Sequence, residues 1–140
     1  MHTKTLKDEI IVHALTSKLW KVLTASEYTD QFLFDGELVS DWVNEGPILL
    51  EVNSSGKKEV VKKGKIQEIV PGISLRFTLF EHGEFSNEPV SFHFELIPGQ
   101  DGIRLILNQE VQFLSDDLYR IMASNNKMML QKIKWLAEYS

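Results

Sequence analysis

The chain has 140 residues, 43% of them hydrophobic and 25% charged, and a formal net charge of −5; this is enough apolar chain for one core and too little length for two ordinary domains. The acidic balance argues against a general nucleic-acid binder, which needs a basic surface. The absence of cysteine removes disulfides, thiolate catalysis and cysteine-rich zinc sites, and suits a reducing compartment.

Met1 to Glu9 holds no apolar signal-peptide core, and nowhere does an apolar stretch approach the roughly 20 residues that span a bilayer. Residues 1–140 are therefore expected to form one cytoplasmic domain with no membrane span. Thr5 to His13, with Ile10, Ile11 and Val12, reads as a first strand. Thr16 and Ser17 offer an N-cap to a short helix over Ser17–Leu23, in which Leu19, Trp20 and Leu23 stand at helical spacing. Ser26 is placed to cap a second short helix, Glu27 to Gln31, with an acid in its first turn as the helix dipole prefers. From Leu38 to Val111 the texture is β. Ile48–Val52 is apolar and ends in a turn by residue chemistry, Asn53-Ser54-Ser55-Gly56-Lys57. Glu59–Val70 runs to Pro71-Gly72, the pair suited to a type II turn. Ile73, Leu75, Phe77 and Leu79 alternate with Ser74, Arg76, Thr78 and Phe80, and Val90, Phe92, Phe94 and Leu96 alternate with Ser91, His93 and Glu95. Pro98 to Gly102 turns the chain into Ile103–Val111. Successive hairpins of this kind predict an antiparallel meander with one face wet and one packed.

Ser115-Asp116-Asp117 opens the last element with a cap and two acids, and no glycine or proline interrupts Leu118 to Tyr139, about six turns at 3.6 residues each. At about 100° per residue, Leu118, Met122, Met129, Ile133 and Leu136 share one face, which Ile121, Met128, Trp135 and Tyr139 widen on one side. So wide a face predicts a helix laid deeply into a concave sheet. Asn125 falls between Met122 and Met129 on it, with Asn126 toward the flank. An amide left unpaired there costs roughly 1–3 kcal/mol, which makes Asn125 the candidate polar anchor.

Several segments stand in a telling order: Ser17-Lys18-Leu19-Trp20-Lys21-Val22-Leu23-Thr24, then Trp42 with Glu45-Gly46-Pro47, then Gly64 to Gly72 and Leu75-Arg76-Phe77-Thr78. Glu95-Leu96-Ile97-Pro98 and Lys127-Met128-Met129-Leu130-Gln131-Lys132-Ile133-Lys134 complete the set. With the order strand, two short helices, meander and long helix, the chain resembles the Bet v 1/START-like (SRPBCC) superfamily. Within it, the chain is similar to the bacterial homologues of the activator of the 90-kDa heat-shock protein ATPase. The resemblance implies an α+β helix-grip fold, a curved antiparallel sheet of about six or seven strands around a long C-terminal helix, with two short helices after the first strand. It departs at two points: Gly102-Ile103 opens the last strand where the family often has Gly-Thr, and Asn125-Asn126 stands where the family often has Gly-Trp.

No catalytic motif is recognisable. His2, His13, His82 and His93 fall at no ligand-grouping spacing, so neither a metal nor another cofactor is expected. The serines lie in turns and caps, and neither a Gly-x-Ser-x-Gly elbow nor a glycine-rich phosphate loop occurs. Lys57, Lys58, Lys62, Lys63 and Lys65 read as a solvated sheet edge with no interleaved aromatic for nucleic acid to stack on. The apolar inventory is the better lead: Phe32, Phe34, Trp42, Phe77, Phe92, Phe94, Met122 and Met129, with Asn125 as anchor, are expected to line a pocket for a small hydrophobic molecule or lipid. The alternative is a protein-interaction module of the activator type. A weak homodimer is the further expectation, prompted by Trp135 and Tyr139 at the side of the last helix.

Overall fold

A computed structural model describes residues 3–25, 27–29, 36–81, 90–112 and 115–140. Strand β1 (Thr3–Val12) leads to helix α1 (Thr16–Thr24) and a helical turn at 27–29. Strands β2 (Gly36–Ser40), β3 (Pro47–Ser54), β4 (Lys57–Val70), β5 (Ser74–Glu81), β6 (Val90–Gly99) and β7 (Gly102–Gln112) follow, then helix α2 (Asp116–Tyr139). The strands form one seven-stranded sheet in the order β1-β7-β6-β5-β4-β3-β2, every pair antiparallel. This is the helix-grip arrangement expected.

Turn chemistry sets the meander. Ser55 (φ 52°) and Gly56 (φ 81°) both take left-handed backbone, the conformation of a two-residue type I′ hairpin turn. At Pro71-Gly72 the Ile73 N–H donates to the Val70 carbonyl at 2.9 Å and Gly72 has φ 78°, as a type II turn requires. Val61, opposite the Leu50–Glu51 step of β3, and Gln67, opposite the Arg76–Phe77 step of β5, are extra residues that mark two bulges on β4, which bend a sheet. Between them β4 comes so close to β5 that a Cβ on Gly64 would stand 1.7 Å from the Thr78 carbonyl oxygen. Alternation then buries one side: Leu6, Val12, Leu75, Phe77, Leu79, Phe92, Phe94, Leu96, Ile103, Leu105, Leu107 and Val111.

Helix α2 starts where a cap and two acids stand: Ser115 Oγ accepts the Leu118 N–H at 3.1 Å, with Asp116 and Asp117 in the first turn. It runs alongside β1 in the same direction. Lys4 lies over the Tyr119 ring, Lys134 Nζ donates to the Ile11 carbonyl, and Glu138 accepts the His13 N–H at 2.8 Å. At the far end α1 closes the grip, with Lys18 Nζ donating to the Ser140 carbonyl and to Tyr28 Oη.

Three expectations are corrected. The N-cap of α1 is Leu15, without a side-chain cap, and Thr16 is already helical. The lysines of β4 do not line a sheet edge, because β4 lies between β3 and β5; Lys58 pairs with Glu37 at 2.7 Å and Lys65 with Glu45 at 3.7 Å. The face of α2 that meets the sheet is Asn126, Met129, Leu130, Ile133, Leu136 and Ala137, whereas Leu118, Ile121, Met128, Trp135 and Tyr139 are exposed. The helix carries two apolar stripes, and the sheet covers one.

Candidate functional site

Of the nine expected lining residues, Phe77, Phe92 and Phe94 stand on the buried face of the sheet and Met129 on the helix face that meets it. Phe77 and Phe92 are cross-strand partners whose ring centroids stand 5.1 Å apart, and Phe94 stacks on Phe77 at 6.5 Å. All three are almost fully buried, as is Met129, while Met122 is half-buried. Phe32 and Phe34 lie outside the described residues. Trp42 sits apart, by the edge strand β2: it takes left-handed backbone (φ 54°), donates its N–H to Ser40 Oγ at 3.0 Å, and is half-buried against the core. It lines an open cleft of about 350 Å³ with Thr24, Leu38 and Lys58.

Asn125 does not meet the sheet; it is exposed, and its neighbour Asn126 is the buried amide. The reason is geometric. Counting Ile121, Met128, Trp135 and Tyr139 as a flank of the core face turns its centre by most of one residue's ~100° step, and Leu130 and Ala137, buried on the opposite flank, restore the true centre.

Asn126 Nδ2 donates to Gln109 Oε1 at 2.5 Å, and both residues are 5% exposed. Gln109 stands on the apolar register of β7, flanked across the sheet by Leu6 and Phe92. Each amide has a second polar end: the Asn126 carbonyl oxygen still accepts, and the Gln109 amide nitrogen still donates. Among the described residues no buried side-chain nitrogen or oxygen lacks a partner, so these outward ends reach accessible space. The pair thus offers one acceptor and one donor on an apolar wall, and flipping both amides together leaves that offer unchanged. Sequence reasoning missed both residues. For Gln109 the signal was available: it is the polar member of Ile103, Leu105, Leu107, Gln109 and Val111.

Cover over the helix is uneven. Along its C-terminal half Met129, Leu130, Ile133, Leu136 and Ala137 are at most 5% exposed. In its N-terminal half Leu118 is 44% exposed and Met122 and Ala123 are half-buried. Asn126 marks the boundary. Among the described residues no three His, Asp or Glu side chains group to hold a metal ion, and no helix is long and apolar enough to cross a membrane.

The outer face of the sheet is polar. Glu68, Arg76, His93, Asn108 and Lys7 form a row across five strands, with Arg76 Nη2 3.4 Å from His93 Nδ1. An open cleft of about 530 Å³ there takes in Arg76, Ser91, His93, Asn108 and Glu110. Among the described residues the perturbed carboxyl is at the C-terminus of α2: the His13 backbone N–H first and Lys134 second hold Glu138 below the usual carboxylate range.

Comparison with known proteins supports the fold. An uncharacterised protein from Rhizobium leguminosarum is 16% identical, with 99% of this chain and 97% of that one covered and a TM-score of 0.77. A protein from Cytophaga hutchinsonii is 20% identical over 96% of this chain and 94% of that one, at a TM-score of 0.76. The Aha1 dimer from Colwellia psychrerythraea is 12% identical, covers 97% of each chain and gives a TM-score of 0.73. No curated protein matches the sequence. The family model described as Activator of Hsp90 ATPase homolog 1-like protein matches residues 13–138, and the chain belongs to that family.

Proposed function

We propose that the protein binds a small molecule with an apolar body and a polar head, held between the concave face of the sheet and the N-terminal half of α2. The observation that carries this reading is the Asn126–Gln109 pair: two amides set into an apolar wall, each with one polar end left for a further partner. The phenylalanine trio and Met129 form the floor, and the half-covered turns around Met122 form the way in. Methionine fits irregular apolar shapes, and a mostly apolar pocket with few polar anchors is how small-molecule sites are built. Asn126 also stands where the resembling family often has the bulkier tryptophan.

Native mass spectrometry of freshly purified protein, paired with titration of the fluorescent probe anilinonaphthalene sulfonate, tests this. The parent is expected to carry a co-purifying molecule or to bind the probe, and Asn126→Leu to weaken either. A parent that carries nothing and binds no probe ends the reading.

Pairing with a second copy is a second reading, compatible with ligand binding. The exposed apolar residues of α2, with Met128 at 64% and Tyr139 at 73%, favour it, as does the likeness to an Aha1 that was solved as a dimer.

A further inference from the structure

Leu118, Ile121, Asn125, Met128, Lys132, Trp135 and Tyr139 follow one another along α2 at intervals of three and four residues. That is the spacing of a coiled-coil seam. Its middle and C-terminal members, Met128, Lys132, Trp135 and Tyr139, are exposed beside the buried face, while Leu118 at its N-terminal end shares the angular position of buried Leu136. Five of the seven are large apolar or aromatic side chains between 44% and 73% exposed: Leu118, Ile121, Met128, Trp135 and Tyr139. They form one strip interrupted by Asn125 and Lys132, with the rings of Trp135 and Tyr139 6.3 Å apart. Lys132 Nζ lies 4.9 Å from the centre of the Trp135 ring, its stem laid along the seam.

The two polar members decide what fits. Asn125 and Lys132 stand three residues before and four residues after Met128, the middle of the seam. Polar residues at seam positions set register and orientation in helix pairs at some cost in stability. A parallel pair of identical helices brings Lys132 against Lys132, two like charges in a desolvated layer. An antiparallel pair puts the two-fold axis near Met128. Lys132 of one copy then lies in the half where the other copy has Asn125, an uncharged acceptor, and the two ammonium groups are kept apart. Apolar residues from one half meet apolar residues from the other.

From this pattern we propose that α2 pairs antiparallel with α2 of a second copy through the seam Leu118–Tyr139, centred on Met128. The proposal rests on the second reading above and names its surface and geometry. A 24-residue helix presents about three heptads, which places the interface at the lower end of the roughly 1,200–2,000 Å² of specific complexes and makes the pair exchange at micromolar concentration. The two readings remain compatible, since Met128, Trp135 and Tyr139 lie off the buried face and Leu118 alone borders the half-covered turns around Met122.

The chain has no cysteine, so single introduced thiols report without background. Met128→Cys is expected to cross-link through a short bismaleimide in concentration-dependent fashion, and Leu118→Cys to cross-link poorly, because the ends of an antiparallel seam lie far from their own copies. Ile121→Glu, at an exposed position, is expected to keep the parent's circular dichroism, and its melting temperature at dilutions where the parent is monomeric, and to weaken self-association at least tenfold in sedimentation equilibrium. Efficient Leu118→Cys cross-linking means a parallel pair and overturns the geometry. A dimer that Ile121→Glu leaves intact uses another surface, which overturns the seam and spares the homodimer. A parent that stays monomeric throughout the micromolar range removes both.

Discussion

Replacing Gln109, Asn126 or both by leucine tests the central pair directly. Each single change leaves the other amide without its 2.5 Å partner, against Leu6 and Phe92 on the sheet side. A buried polar group deprived of its partner costs about 1–3 kcal/mol, whereas replacing both partners by apolar groups of like shape is nearly neutral. Because both amides already reach accessible space at one end, the lower half of that range applies, about 1–2 kcal/mol for each single change. The double change should then cost less than the larger single, a coupling of about 1–2 kcal/mol. Urea unfolding followed by circular dichroism measures this, at one fixed protein concentration because self-association raises apparent stability. Two single effects that simply add, to within about 0.5 kcal/mol, would show that the amides do not act as a pair. The same variants read the ligand separately: each hydrogen bond lost to a polar head is expected to weaken binding about three- to tenfold, even where the double variant is as stable as the parent.

Gly64→Ala places a Cβ 1.7 Å from the Thr78 carbonyl oxygen, backbone that cannot step aside without breaking the β4–β5 ladder; melting should fall by far more than for an alanine on an exposed strand position. Met129→Trp adds bulk to a buried residue facing the proposed site; with space there, the overpacking penalty of roughly 1–3 kcal/mol is avoided and probe binding is lost, while a marked fall in melting temperature argues for a filled core. Ser115→Ala removes the Oγ that accepts the Leu118 N–H and is expected to cost about 1 kcal/mol in unfolding free energy. Glu138, held below the usual carboxylate range by the His13 N–H and then Lys134, stabilises the fold above its unfolded value, near about 4.3, and loses that contribution as pH falls through its lower folded value. The stability gap between parent and Glu138→Gln, followed by thermal melts from pH 7 downward, should therefore close in acid; a gap that widens in acid contradicts the contact.

Most of the fold could be read from local chemistry. The strand order follows from hairpins whose turns announce themselves, and Pro71-Gly72 and Ser55-Gly56 adopt the conformations their residues favour. Ser115 caps α2 as expected. What local chemistry does not carry is which strand lies at an edge. The lysines of β4 look like edge protection because five of them crowd one hairpin, yet β3 and β5 pair on either side of that strand and the edge lies at β2.

The site was half legible, for a physical reason that also explains the second surface. Phe77, Phe92, Phe94 and Met129 sit where alternation and helical periodicity put them, since each obeys the rule for its own element. Asn125 failed because periodicity reports that a helix has an apolar side without reporting how many neighbours it has. One stripe on α2 is bounded by Met129, Leu130, Ile133, Leu136 and Ala137, all buried; the other by Ile121, Met128, Trp135 and Tyr139, all exposed. Averaging them points between the two, at Asn125. Separated, each stripe contains its own polar exception: Asn126 in the buried one, paired with Gln109, and Asn125 with Lys132 in the exposed one. A polar residue kept inside an apolar register costs stability unless something answers it. In α2 the buried exception is answered by a strand, through Gln109, and the proposed second helix would answer the exposed pair.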